Sequence, residues 1–165
     1  MLDRKLLGTY LNDHLAGSTV GLELAKRARG SNEGTEYGET LERIAREIDE
    51  DRETLQKLME AFEIKRDRPK VLAAWAGEKL GRLKPNGRLF SYSPLSRLIE
   101  LELLALGIGG KLSLWEALSE VADEDARLDR AELGRLSERA ERQRAEVWQL
   151  RQRAAGEALR ARGRG

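Results

Sequence analysis

Four side chains in this sequence combine useful chemistry with a position that periodicity turns inward: His14, Asp51, Glu102 and Gln143. An imidazole and two carboxylates suit zinc, manganese or iron, so His14, Asp51 and Glu102 are candidate ligands of a single transition metal ion. The competing expectation is a hydrogen-bonded layer, with His14 bonded to Glu102 or Asp51 and Gln143 filling in, which fixes helix register at some cost in stability. Either arrangement answers the same requirement, because a buried charge survives only where it is paired, bound to a metal or hydrated. An error of one position in helical phase would instead turn any of the four to solvent.

Other chemistries lack their parts. The chain has no cysteine, which excludes thiolate zinc sites, cysteine nucleophiles and disulfides. With one histidine, a Ser/His/Asp triad would have to centre on His14, whose core position argues against it. Phosphate-cradling glycine loops and a nucleophile elbow are missing from the sequence, so nucleotide hydrolysis and acyl transfer are not expected. The acidic run Glu47, Asp49, Glu50, Asp51 cannot converge on one ion, since successive helical residues point in different directions. The expectation is a non-enzymatic protein with a structural or interaction role and no cofactor; the alternative is a metal-binding oxidoreductase or storage protein with a single transition metal ion in a reduced site at mid-bundle.

The elements that must position these residues are helices. Ala, Leu, Glu and Arg dominate and aromatics are 5% of 165 residues, which is the usage of an all-α protein. The length fits one domain, residues 1–160, with 161–165 a flexible basic tail. Asp3 is a plausible N-cap for a first helix that ends at Arg29, where Gly30 offers a left-handed C-cap; its stripe is Leu7, Leu11, His14, Ser18, Leu22 and Ala25. After a polar turn, Ser31 to Gly38, the strongest periodic signal runs through Leu41, Ile44, Ile48, Asp51, Leu55, Leu58 and Phe62. Its opposite face, with Glu39, Arg43, Glu47, Glu50, Glu53 and Lys57, reads as solvated. A short amphipathic helix is expected over 71–83. Ser93 and Pro94 cap the next helix, which carries Leu95, Leu98, Ile99, Glu102, Leu103, Leu106, Leu112, Trp115 and Leu118. Gly107, Gly109 and Gly110 interrupt it and mark a kink, a close helix crossing or space beside a ligand, with close packing the favoured reading. The last helix runs from about Ala126 to Arg160 along Leu133, Leu136, Ala140, Gln143, Val147, Leu150 and Ala154.

Short loops make the first and second helices, and the third and fourth long helices, antiparallel hairpins, and about 30 residues between them allow one long crossover. With a polar residue near the middle of each long helix, this pattern resembles the ferritin-like superfamily. The stretch LERIAREIDEDRETLQKLMEAF from Leu41 to Phe62, followed by RPKVLAAWAGEKL, is most similar to small bacterial stress-associated members. The resemblance implies a four-helix bundle with one crossover carrying a short extra helix, and a stress-related role. It does not supply a dimetal ligand set: Ile48 and Asp51 stand where Glu-x-x-His is wanted, Ala140 and Gln143 likewise on the last helix, and His14 stands where a Glu belongs. Glu102 alone matches in type and helix.

Thirty basic and 29 acidic residues leave a net charge of +1, so no global field attracts nucleic acid or an anionic membrane. Lys65, Arg66, Arg68 and Lys70 form a basic cluster without stacking aromatics or a docking motif, and nucleic acid is not an expected partner. Trp75, Phe90 and Tyr92 gather around the crossover and make self-association as a homodimer the expected interaction. No apolar run approaches the roughly 20 residues of a bilayer span, and there is no signal-peptide core, so the expected location is cytoplasmic.

Overall fold

The computed structural model describes residues 1–67 and 92–160. The short helix expected over 71–83, Arg68, Lys70, Trp75, Phe90 and the tail 161–165 lie outside these residues. The described residues form helices α1 (Arg4–Ser31), α2 (Glu36–Ala61), α3 (Pro94–Glu120) and α4 (Arg130–Leu159), with a 3₁₀ turn over Ala122–Glu124. No strand occurs among them. The protein is all-helical, as expected.

The helix starts follow the capping residues. Asp3 accepts from the amides of Lys5 and Leu6, and Ser93 from that of Ser96 with Pro94 in the first turn. Three boundaries differ from expectation. The first helix runs through Gly30 and stops at Asn32, whose side chain bonds the Ala28 carbonyl at 2.7 Å; the left-handed glycine is Gly34, at φ 73°. The second helix starts at Glu36, inside the expected turn, because Thr35 caps the Gly38 amide. The last starts at Arg130 rather than near Ala126, because Asp129 accepts from the amides of Ala131 and Glu132.

End contacts set the directions. At one end Arg4 donates to the Phe62 carbonyl at 2.7 Å, and Arg127 donates to the Ala61 carbonyl at 3.3 Å while lying over the Phe62 ring. At the other end Arg97 bridges Asn32 at 2.6 Å and Glu157 at 2.7 Å. The start of α3 therefore meets the end of α1 and the end of α4. Both hairpins are antiparallel, and α2 and α3 run parallel.

The closest packing is within each hairpin, and α1 also packs on α3. The stripe of α4 is as expected: Leu133, Leu136, Ala140, Gln143, Val147, Leu150 and Ala154 are all buried. Asp51 lies in the buried stripe of α2, which includes Leu41, Ile44, Ile48 and Leu55, although Met59 replaces Leu58 in it. The third helix buries Leu98, Leu101, Leu104, Ile108, Leu112, Leu114, Trp115 and Leu118, a wider face than one stripe, because it is covered by both α1 and α4.

Charged side chains span the wider gap between α2 and α4. Glu36 pairs with Arg153, Arg43 with Glu146 and Glu50 with Arg139. Successive rungs are a heptad apart on both helices, and the sign alternates from rung to rung. A slip of one heptad would set Glu36 against Glu146 and Arg43 against Arg139, so the ladder selects register. Its members are partly exposed, and each pair contributes only about 0–1 kcal/mol. Part of the face of α2 that reads as solvated in the sequence is thus turned toward α4.

Candidate functional site

At mid-height the two inward polar residues of α2 and α4 meet around a lysine of α3. Lys111 Nζ lies 2.5 Å from Asp51 Oδ2 and 2.5 Å from Gln143 Oε1. Asp51 is 1% exposed and Gln143 fully buried. The other Asp51 oxygen pairs with the Arg139 guanidinium. Gln143 Nε2 donates to Glu47 at 2.7 Å, and Glu47 in turn pairs with Arg43 at 3.3 Å. The result is one continuous network from Glu50 to Glu146 across three helices. Burial pushes the Lys111 ammonium down, and the adjacent Asp51 carboxylate partly opposes the shift. Burial works to raise the Glu47 carboxyl, but the Gln143 amide and the Arg43 guanidinium outweigh it and hold it below the usual carboxylate range.

The expected set of His14, Asp51 and Glu102 is not brought together. Glu102 is 41% exposed and pairs with Arg151 at 3.0 Å, on the side facing α4. The buried acid of α3 is Glu100, 1% exposed, which takes Arg27 at 2.9 Å and the Tyr92 hydroxyl at 2.9 Å. The error is one of phase: α3 is apolar on more than one face, and Leu103 and Leu106, both counted toward its stripe, are exposed. His14 is half-buried on α1, with its ring edge-on to Tyr10 at 4.6 Å between centroids, and borders the same groove as Asp51 and Lys111 without bonding either. Among the described residues no three His, Cys, Asp or Glu side chains are grouped as a metal site would require.

Lys111 was absent from the expected layer, yet the sequence carries a signal for it. It is the only charged residue between Glu102 and Glu116, within the apolar run LLALGIGGKLSLW.

A second polar cluster pins the end of the molecule. The Tyr92 hydroxyl donates to Glu100 and accepts from Asn32 Nδ2 at 2.8 Å; Tyr37 donates to Glu157 at 2.9 Å. Tyr92, one of the three aromatics gathered around the crossover, is therefore turned into the fold. Burial raises the Tyr37 phenol to about 12, with the Glu157 hydrogen bond adding to it, and burial likewise raises Glu100.

Beside the ion-pair layer lies a groove of about 190 Å³ between α1, α2 and α3, open to solvent along Asp13, Gly17, Gly107 and Gly110, which are exposed. Gly17, Gly21, Gly107 and Gly110 line it, and a Cβ added to any of them would meet nothing within 4 Å among the described residues. The glycine cluster of α3 accordingly opens space, contrary to the close crossing expected from sequence. Trp115 borders this groove and a second recess of about 270 Å³ toward the start of α4. Its Nε1–H is buried with no acceptor among the described residues.

His14 reports on how far burial beside this groove desolvates its lining. Burial lowers its pKa, and Asp13 only partly opposes this. As the one histidine of the chain, its ring proton titrates alone in an NMR spectrum, and the expected midpoint is below the usual value of about 6.5. A lowered folded pKa contributes stability that is present above the unfolded pKa and is lost as pH falls through the folded one. Acidification below about pH 6.5 is therefore expected to destabilise the protein, and His14→Gln to remove that part of the pH dependence. A midpoint at or above the usual value would show a hydrated imidazole.

Comparisons with protein-family models, with curated proteins and with solved structures each found no match. The class defined by fold and site is an all-helical protein with an ion-pair layer at its centre. No described helix is long and apolar enough to cross a membrane.

Proposed function

We propose that this chain is a non-enzymatic protein of ferritin-like architecture, with a structural or interaction role, in which a lysine ammonium stands where the resemblance would place a metal. One observation supports this above the rest: Lys111 Nζ lies between Asp51 and Gln143, while Arg139 holds the remaining Asp51 oxygen. Both carboxylate oxygens are engaged by fixed cations, so a metal would have to displace an ion pair already formed. The parallel run of α2 and α3, with both hairpins antiparallel, agrees with one crossover, which is the ferritin-like connection.

Elemental analysis of protein purified without chelator tests the reading. The expected result is no stoichiometric transition metal, in the wild type and in Lys111→Met alike. A stoichiometric ion that disappears in His14→Ala would overturn it in favour of a single-ion site built on His14 and Asp51.

A further inference from the structure

We infer that the outward face of α3 and α4 binds a second copy of this chain, antiparallel about a two-fold axis that passes between Ile99 and Leu103. This gives the interaction role proposed above a surface and a partner; it rests on that role and not on the absence of a metal, which elemental analysis tests separately.

A helix at the corner of a bundle ordinarily turns charge to solvent, as α2 does with Glu39, Glu53 and Lys57, all exposed. The third helix does not. Its outward positions are Leu95, Ile99, Leu103, Leu106 and Gly110, spaced by three or four residues and without a charge. Leu95, Leu103 and Leu106 are exposed, Leu106 at 73%, with Ile99 half-buried between them. The fourth helix extends the patch. Arg151 pairs with Glu102 and lies over the Trp148 ring, so Trp148, 50% exposed, sits on the α3 side of α4. The Lys111–Gln143 and Glu102–Arg151 contacts bracket it at the level of Leu106. Leu159, three turns further along the same face, is level with Leu95, as the Arg97–Glu157 bond requires. Of the seven large hydrophobic side chains exposed among the described residues, five therefore share one patch, which is the distribution of an interaction surface rather than of scattered exposure.

Three observations select a copy of the chain as the occupant. The described ends of the crossover lie on the α1 flank: Asn12 accepts from the Asp67 amide at 2.8 Å and donates to the Lys65 carbonyl at 3.1 Å, and Tyr92 bonds Asn32 and Glu100. The border of the patch is balanced in charge, with Glu102 against Arg151 at 3.0 Å and Glu141 and Arg144 both exposed. It favours neither an acidic nor a basic partner, whereas a second neutral face matches it. The size is also sufficient. From Leu95 to Ser113 the face is roughly 27 Å long at 1.5 Å per residue and two helices, roughly 20 Å, wide. That is on the order of 500 Å² in projection and more in accessible area, the size class of the roughly 800 Å² per partner in a specific interface. The stripe is moreover complementary to itself: turned end for end about the axis, Leu95 falls against the partner's Leu106 and Ile99 against the partner's Leu103. Trp148, level with Leu106, then packs beside the partner's Leu95, and tryptophan is among the residues that anchor interfaces.

Light scattering of the full-length protein over a dilution series measures the association. The expected result is a monomer–dimer equilibrium at micromolar concentration. Leu106→Arg is expected to raise the dissociation constant about 30-fold, because a two-fold axis loses each contact twice, with an unchanged far-UV circular dichroism spectrum. Leu6→Arg, at a residue similarly exposed but outside the patch, is expected to leave the dimer intact. If Leu106→Arg does not fold, Trp148→Gln serves. The register is read by cross-linking. Since the chain has no cysteine, Leu95→Cys combined with Leu106→Cys supplies two thiols alone, roughly 16 Å apart along one helix and unable to bridge within a chain. Oxidation is expected to give a disulfide-linked dimer. A monomeric wild type would overturn the inference and leave the face to the crossover or to a different protein. A dimer that tolerates the patch substitution, or one in which the two thiols fail to cross-link, would overturn it equally.

Discussion

Asp51→Ala is expected to lower the unfolding free energy by about 3–5 kcal/mol, the usual loss when one partner of a buried ion pair is removed. For a chain of this size that corresponds to a fall in melting temperature of roughly 10 °C. The cause is what remains behind. Lys111, with a side chain 12% exposed, would keep Gln143 as its only polar partner among the described residues. Arg139, 23% exposed, would retain Glu50 at 2.8 Å and can reach water, so the main penalty falls on the lysine. The combined variant Asp51→Leu with Lys111→Met removes both charges and is expected to recover most of the loss, because well-packed apolar replacements of buried pairs are often neutral or stabilising. Urea denaturation of the two single variants and the double variant measures this directly. A single-variant loss below about 1 kcal/mol, the range of a solvent-exposed pair, would show that the layer is hydrated.

Gly38→Ala is expected to destabilise by about 3 kcal/mol, toward the upper end for overpacking because the obstacle is backbone. A Cβ at Gly38 would overlap the Asn32 carbonyl oxygen and approach its carbon to 3.0 Å. That carbonyl cannot retreat, since it accepts from the Thr35 amide at 3.2 Å and the Thr35 hydroxyl at 2.6 Å. Asn32 is itself 2% exposed and joins α1 to Tyr92 and Arg97. The same substitution at Gly107 is expected to stabilise by about 0.5–1 kcal/mol, because it adds helix propensity and meets no neighbour. Opposite signs for one chemical change, read from denaturation midpoints at unchanged m-values, distinguish a glycine that permits a close approach from one that maintains a space.

The contrast between these glycines shows where sequence reasoning stops. A glycine in a helical pattern signals missing bulk, but whether a neighbour occupies the vacated volume depends on residues distant in the chain. Glu102 and Glu100 differ for a similar reason. On α4 the apolar positions form one narrow stripe between charged flanks, so Gln143 could be placed inward from spacing alone, as could Asp51 on α2. On α3 the run LIELELLALGIGGKLSLW is apolar all round, and only the positions of α1 and α4 decide which acid is covered. Lys111 was legible as an isolated charge in that run; its partners were not.

Local chemistry in the sequence determined the helical class, the capping residues Asp3 and Ser93, and the inward phase of Asp51 and Gln143, because turn-to-turn spacing and caps act within a few residues. The tertiary structure decided the rest: that a lysine closes the central layer, that Glu100 rather than Glu102 is buried, and that four glycines line an open groove beside it. Each of these depends on which side chains from separate helices arrive at the same height, and no single helix carries that information.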